Sequence, residues 1–271
     1  ALAMALDLAR EKKADLVMAT DPDADRLGIA VRKPSGEFVL LNGNQTGALL
    51  TWYIISQKKK NSELKGNEYI INTIVTSDLL DRIAEKNGVK CYNVLTGFKF
   101  FAALMRDLEG KEKYIGGGEE SFGYLPGDYV RDKDGVASCA LVAEAAAWAA
   151  DHGKSIWELL LDIYAEYGLF REKLVNVVRK GAEGAAEIRS MMEGYRTSPP
   201  AYITGSRVER IDDYQLQVST DPATGTRTIL DFEKSNVLQF FLADGTKISV
   251  RPSGTEPKIK FYFSTSTIMK E

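Results

Sequence analysis

Helical periodicity with mixed charge over Ala1 to Lys13 predicts a first helix, after which the chain switches to short apolar runs. Asp15 to Ala19 and Leu27 to Arg32 read as strands on either side of an acidic loop, Thr20 to Arg26. Pro34-Ser35-Gly36 then turns the chain into Phe38 to Leu41. From Asn44 long helical patterns alternate with short apolar ones: helix Thr46 to Lys58, strand Tyr69 to Val75, and helix Asp78 to Lys86 closed by Gly88. Strand Lys90 to Val94, helix Phe98 to Leu108, strand Tyr114 to Gly116 and a helix from Gly135 follow. Strands separated by helices predict a mainly parallel sheet covered on both faces.

Beyond a helix over Ser155 to Tyr167, Gly, Ser, Thr and Pro become frequent, with Ser198-Pro199-Pro200 and the hairpin signal Asp221-Pro222-Ala223-Thr224-Gly225. Asn236 to Leu242, Thr246 to Val250 and Lys258 to Ser264 alternate as half-buried strands do, the first two joined by Ala243-Asp244-Gly245. The expected fold class is α/β: the remnant of one α/β domain, a complete βαβ-type domain, and a C-terminal α+β domain with an antiparallel sheet. The last boundary is expected between Tyr167 and Lys180.

Composition narrows the functions open to such a chain. With 271 residues, 44% hydrophobic and 27% charged, it can bury a real core. Lys plus Arg number 35 against 38 Asp plus Glu, so no global basic field draws nucleic acid or an anionic membrane, and any anion must be held locally. Cys91 and Cys139 are the only cysteines and form no CxxC, which fits a reducing cytoplasm better than a zinc site or a disulfide framework. Val136 to Ala150, the longest apolar stretch, contains Ser138 and Glu144 and falls short of the roughly 20 residues that span a bilayer, so it reads as a buried helix. The opening residues lack the basic start and apolar core of a signal peptide, and the chain begins in what reads as mid-helix, which suggests a fragment or processed product.

Three segments carry candidate chemistry. Asp21-Pro22-Asp23-Ala24-Asp25-Arg26 places carboxylates at alternate positions in a loop straight after an apolar strand. Their mutual repulsion is relieved by a divalent cation, and a compact all-oxygen site suits Mg²⁺; the plainer reading is a solvated acidic turn. An EF-hand fits poorly, because Arg26 and Arg32 stand where Gly and Glu are needed. Arg251-Pro252-Ser253-Gly254-Thr255-Glu256-Pro257-Lys258 offers a guanidinium, two hydroxyls and a glycine between strands, which can cradle phosphate or be an ordinary Pro/Gly turn. Gly116-Gly117-Gly118-Glu119-Glu120-Ser121-Phe122-Gly123 ends a strand in glycines followed by carboxylates, a possible polyol site or a loop or helix cap. Arg131-Asp132-Lys133-Asp134-Gly135 alone is a solvated charge run, and Thr96-Gly97-Phe98-Lys99 alone a helix start. No P-loop or Rossmann fingerprint occurs, since Trp148 stands where Gly153-Lys154-Ser155 would need its first Gly.

Taken in order, DPDADR, TGFKFF, GEESFG followed by RDKDG, and RPSGTEPKIK resemble the last part of the α-D-phosphohexomutase superfamily, closest to its phosphoglucomutases. The resemblance spans nearly the whole chain. It implies residues 1–43 as the end of the family's second domain, 44–170 as its third and 171–271 as its fourth. It implies Asp21, Asp23 and Asp25 as Mg²⁺ ligands, Arg26 and Lys133 as catalytic cations, and Thr96, Gly97, Glu119, Ser121 and Lys133 as sugar-contacting residues. Arg251, Ser253, Gly254 and Thr255 then form the phosphate-binding loop. A hexose phosphate substrate, a bisphosphate intermediate and a cytoplasmic location go with that reading.

One departure stands out: the family's phosphoserine lies in a Thr-(Ala/Ser)-Ser-His-Asn-Pro type loop, and this sequence has none, its only histidine being His152. The chain is therefore expected to be a truncated polypeptide or proteolytic remnant, inactive alone, whose partner is the missing N-terminal domains. Alternatives are a phosphopentomutase or phosphomannomutase of the same superfamily, a haloacid-dehalogenase-type phosphatase with Asp21 as nucleophile, or a non-catalytic sugar-phosphate-binding module. The second leaves RPSGTEPK and GEESFG without a role.

Overall fold

A computed structural model describes residues 2–267, Lys180 and Thr255 excepted. The chain divides into two units, Ala1–Leu169 and Phe170–Thr267.

In the first unit, helix α1 (Ala3–Lys12) ends at Lys13, whose φ of 54° turns the chain back. Strands β1 (Leu16–Thr20), β2 (Leu27–Arg32) and β3 (Phe38–Leu41) form an antiparallel meander. Alternation sends Val17 and Ala30 to one face, where they pack with Ala9 and Phe38 under α1. The register pairs Thr20 with Leu27, so the six residues between them form the acidic loop at the end of a hairpin.

Helix α2 (Gly43–Lys60) begins three residues before the apolar pattern does, because Asn42 and Gln45 form a reciprocal capping box. Next come β4 (Glu68–Thr73), α3 (Leu79–Lys86), β5 (Lys90–Val94), α4 (Phe98–Leu108), β6 (Lys113–Gly118) and β7 (Tyr124–Leu125). The sheet order is β5-β4-β6-β7; the first three are parallel and the two-residue β7 runs antiparallel to β6. Tyr69, Ile71 and Tyr114 meet Phe98, Phe101 and Met105 of α4 on one face. On the other, Asn72 donates to Asp81 of α3, and α2 lies close enough that a Cβ on Gly116 would meet Ile54 Cδ1 at 3.2 Å.

The glycine run does not end β6 but lies within it. A Cβ on Gly117 would stand 2.1 Å from the Ile71 carbonyl oxygen, so bare backbone is what lets β6 approach β4 here.

Helix α5 (Gly135–Asp151), read from its composition as a buried helix, is buried along one stripe, Ser138, Val142, Ala145 and Ala149, while Val136 is 66% exposed. His152 caps this helix, stacking on Trp148 with Nδ1 2.7 Å from the Trp148 carbonyl. Helix α6 (Ile156–Tyr167) starts at a Ser155/Glu158 capping box. No helix among the described residues is long and apolar enough to cross a membrane.

The second unit contains β8 (Leu169–Val178), α7 (Gly181–Thr197), β9 (Tyr202–Ile203), β10 (Ser206–Asp213), β11 (Val218–Thr220), β12 (Arg227–Ile229), β13 (Leu238–Leu242), β14 (Lys247–Pro252) and β15 (Lys258–Thr267). They form one sheet in the order β12-β11-β10-β13-β14-β15-β8, with β9 on β10. Its core is one sheet face, Phe240, Ile248, Val250 and Ile259, closed by Ile188 and Met192 of α7. The expected hairpin at Asp221 joins β11 and β12, with Asp221 Oδ1 accepting from the Ala223 amide.

Candidate functional site

The acidic loop is shaped by its own backbone. The Ala24 amide donates to the Asp21 carbonyl, the Arg26 amide donates to Asp21 Oδ1 at 3.0 Å, and Ala24 takes a φ of 57°. This fold gathers Asp21, Asp23 and Asp25 so that one oxygen from each lies within 4.8 Å of the others. Burial works to raise the Asp21 carboxyl, but amide donors, Asp23 and the Arg26 guanidinium prevail and hold it below the usual aspartate value. Arg26 Nε lies 3.8 Å from Asp21 Oδ2 and 3.7 Å from Asp25 Oδ1. Asp25 Oδ1 is buried and has no hydrogen-bond partner among the described residues. A buried carboxylate oxygen that accepts no hydrogen bond, beside two further carboxylates, fits a hard divalent cation such as Mg²⁺, which takes oxygen ligands and tolerates few from protein.

The Glu119 loop is the turn between β6 and β7. The Glu119 amide donates to the Gly123 carbonyl, and Phe122 takes a φ of 71° at the turn. Glu119 is 8% exposed, and its Oε1 accepts from the Gly97 amide at 2.7 Å. Gly97, with a φ of 122°, precedes α4, so the two loops expected to meet a sugar are joined by a charge-assisted hydrogen bond. Thr96 Oγ1 beside it is buried with no hydrogen-bond partner among the described residues. Ser121 lies half-buried at the turn.

Backbone contacts fasten this turn to the acidic loop. The Leu27 amide donates to the Phe122 carbonyl at 3.0 Å, and Arg26 and Gly123 form an isolated antiparallel bridge. Asp21, Arg26, Ser121 and Phe122 consequently line one cavity of about 540 Å³. The charged segment closes the group: the Gly135 amide donates to the Ala24 carbonyl and the Asp134 amide to the Tyr124 carbonyl. A Cβ on Gly135 would stand 2.7 Å from the Ala24 carbonyl oxygen.

Residues 131–135 are thus more than a solvated charge run. Asp134 caps α5 by accepting from the Ala137 amide, and Lys133 Nζ lies 2.9 Å from Asp25 Oδ2. Burial disfavours the Lys133 charge, but Asp25 and Asp132 outweigh it and hold the amine above its ordinary value, protonated at neutral pH.

Several residues that position this group have no signature in a motif reading. Gly43, at the start of α2, would place a Cβ 2.1 Å from the Glu120 carbonyl oxygen, so the turn between β6 and β7 rests on a bare helix start. The Glu120 amide donates to Thr76 Oγ1, and Asn44 Oδ1 accepts from the Ser77 amide. The Asn42-Gly43-Asn44 run was the available signal.

In the second unit, Arg251 lies near the end of β14, and Ser253 and Gly254 follow at the tip of the β14–β15 hairpin. The Ser253 amide donates to the Lys258 carbonyl at 2.8 Å, and Lys258 pairs with Glu256. A Cβ on Gly254 would meet nothing within 4 Å, so its backbone faces open space. Thr255 lies outside the described residues.

Residues 42–167 match the family described as phosphoglucomutase/phosphomannomutase, alpha/beta/alpha domain III, and residues 1–36 match that described as its alpha/beta/alpha domain II. The curated phosphoglucomutase of Staphylococcus aureus (strain MRSA252) is 41% identical over 260 residues, which cover 96% of this chain and 46% of that protein. The chain therefore spans about half the length of the curated relatives it matches. The open form of Paramecium pp63/parafusin, a phosphoglucomutase, superposes with a TM-score of 0.66 at 21% identity, over 100% of this chain and 45% of that one. Aspergillus fumigatus N-acetylphosphoglucosamine mutase in complex with GlcNAc-6P and magnesium superposes with a TM-score of 0.50 at 15% identity, over 96% of this chain and 49% of that one. At these identities the two structures share a fold with this chain.

Proposed function

Because the chain belongs to the α-D-phosphohexomutase superfamily, we propose that it supplies the metal, sugar and phosphate loops of a phosphoglucomutase-like enzyme interconverting glucose 1-phosphate and glucose 6-phosphate. The observation that carries this reading is the backbone joint between the acidic loop and the Glu119 turn, Leu27 N–H to Phe122 carbonyl at 3.0 Å. It fastens the acidic loop to the turn that carries Glu119, which supports a reading in which a cation site and a hydroxyl-accepting carboxylate work on one substrate, as phosphoryl transfer to a sugar hydroxyl requires.

In this reading residues 1–43, 44–170 and 171–271 are the family's second, third and fourth domains. Glu119 accepts hydrogen bonds from sugar hydroxyls, with Thr96, Gly97 and Ser121 beside it. Mg²⁺ held by Asp21, Asp23 and Asp25 supplies electrostatic stabilisation of the transferring phosphoryl group; the Aspergillus relative's magnesium complex supports this choice of ion. Arg26 and Lys133 add positive charge on the same side, and Arg251, Ser253, Gly254 and Thr255 hold the phosphate that is not reacting. The phosphoserine donor belongs to polypeptide outside these 271 residues. It gives its phosphoryl group to the sugar, and the resulting bisphosphate turns over and returns the other phosphoryl group to the serine. The sparse cysteines, Cys91 and Cys139, both free, support a cytoplasmic setting.

The test is a coupled assay with glucose 1-phosphate, Mg²⁺ and glucose 1,6-bisphosphate. The 271-residue chain is expected to show no turnover, and the longer protein that includes a phosphoserine loop is expected to turn over and to lose that activity in Asp23→Asn. Serine-dependent turnover by the isolated chain, or full activity of the longer Asp23→Asn protein, contradicts the proposal.

A further inference from the structure

Lys133 is held at its stem and shared at its head. A Cβ on Gly123 would stand 2.3 Å from Lys133 Cδ, so the aliphatic stem rests on bare backbone of the sugar-side turn. The ammonium lies 2.9 Å from Asp25 Oδ2 and 3.0 Å from Asp132 Oδ1, with 14% of the side chain exposed. It also sits 5.1 Å from the centre of the Phe98 ring, the residue after Gly97. One carboxylate partner belongs to the acidic loop and the other does not.

We propose that Lys133 is an exchangeable counter-ion of Asp25. A divalent cation on the acidic loop and the Lys133 ammonium compete for the same carboxylate, and Asp132 is already in place to take the ammonium when the cation arrives. Metal binding thereby moves the ammonium off the acidic loop while its stem stays on the sugar-side turn. This rests on the reading of Asp21, Asp23 and Asp25 as the metal loop. The sign follows from Coulomb's law: a dication and an ammonium sharing one carboxylate sit a few ångströms apart, and even at the dielectric of a wet surface their repulsion weakens metal binding by about tenfold.

The experiment measures Mn²⁺ affinity of the full 271-residue chain from the electron paramagnetic resonance signal of free Mn²⁺, together with thermal midpoints in EDTA. Lys133→Met is expected to bind Mn²⁺ about tenfold more tightly than wild type while melting lower in EDTA, because it leaves carboxylates uncompensated. A merely structural lysine would weaken both. Lys133→Gln, which keeps a polar head, carries the same expectation should Lys133→Met fail to fold. In the wild-type chain, acetylation of Lys133 followed by mass spectrometry is expected to speed up at saturating Mg²⁺. Unchanged or weaker Mn²⁺ binding in the variants, or an acetylation rate indifferent to Mg²⁺, overturns the proposal. Asp23→Asn separates the two levels. If it abolishes wild-type Mn²⁺ binding but Lys133 variants bind as wild type does, the counter-ion role alone falls. If wild type has no Asp23-dependent site, the metal-loop reading falls and takes this inference with it.

Discussion

The Gly97 amide donates to Glu119 Oε1 across 2.7 Å, which ties the strand-to-helix loop before α4 to the turn after β6. Gly97 does this at a φ of 122°, a region open to glycine and strained for any other residue. Gly97→Ala is therefore expected to cost about 1–3 kcal/mol in a urea titration. Glu119→Gln should cost about 1–2 kcal/mol and shift the Gly97 amide resonance upfield as its charged acceptor is lost. An unmoved Gly97 resonance would contradict the contact.

Gly43 and Gly47 share helix α2 and separate close approach from helix propensity. At Gly43 a Cβ would meet the Glu120 carbonyl oxygen at 2.1 Å, whereas at Gly47 it would meet only Leu80 Cδ2 at 3.9 Å. Gly43→Ala is expected to destabilise by about 1–3 kcal/mol through displacement of the Glu119 turn. Gly47→Ala is expected to stabilise by about 0.5–1 kcal/mol. Equal effects in denaturant titrations would show that the turn does not rest on the helix start.

Glu68 sets an acid-side dependence. Its side chain is buried, and its oxygens accept from the Lys65 and Gly66 amides. Burial works to raise it, but the amide donors prevail and hold it below the ordinary 4.5. A depressed carboxyl contributes stability that is complete above its unfolded value and lost as pH falls through its folded one. Glu68→Gln should cost about 1–3 kcal/mol at pH 7, and the gap from wild type should narrow as pH drops below about 4.5. A gap of constant size would contradict the assignment.

Met192, 1% exposed, joins α7 to the sheet core of the second unit. Met192→Ala is expected to cost about 2–5 kcal/mol, read as earlier loss of the Phe170–Thr267 unit in hydrogen exchange. Unchanged protection of β13 and β14 would contradict the packing.

What the sequence made legible was local. Alternate aspartates beside an apolar strand mark a cluster of carboxylates within a few residues, and the helix–strand alternation from α2 to α5 announces its sheet. Helix α7 escaped notice because Gly181, Gly184 and Gly194 lower its propensity, although Ile188, Met191, Met192 and Tyr195 keep helical spacing. The β8 and β10 strands lay inside a stretch read only as Gly- and Ser-rich. Motif reading also missed Gly43 and Thr76, whose value lies in contacts across long sequence distances. Reading β6 as ending at Gly116 mistook strand glycines for a stop; their role is set by the Ile71 backbone beside them.

Proton and phosphorus relaxation of glucose 6-phosphate in the presence of Mn²⁺ tests most directly whether the acidic loop and the Glu119 turn share one site. With the chain at stoichiometric Mn²⁺, strong paramagnetic broadening of the sugar resonances is expected, abolished by Asp23→Asn and by Glu119→Ala. Mn²⁺ bound at the aspartates with no broadening of the sugar, or broadening that survives both substitutions, would contradict it.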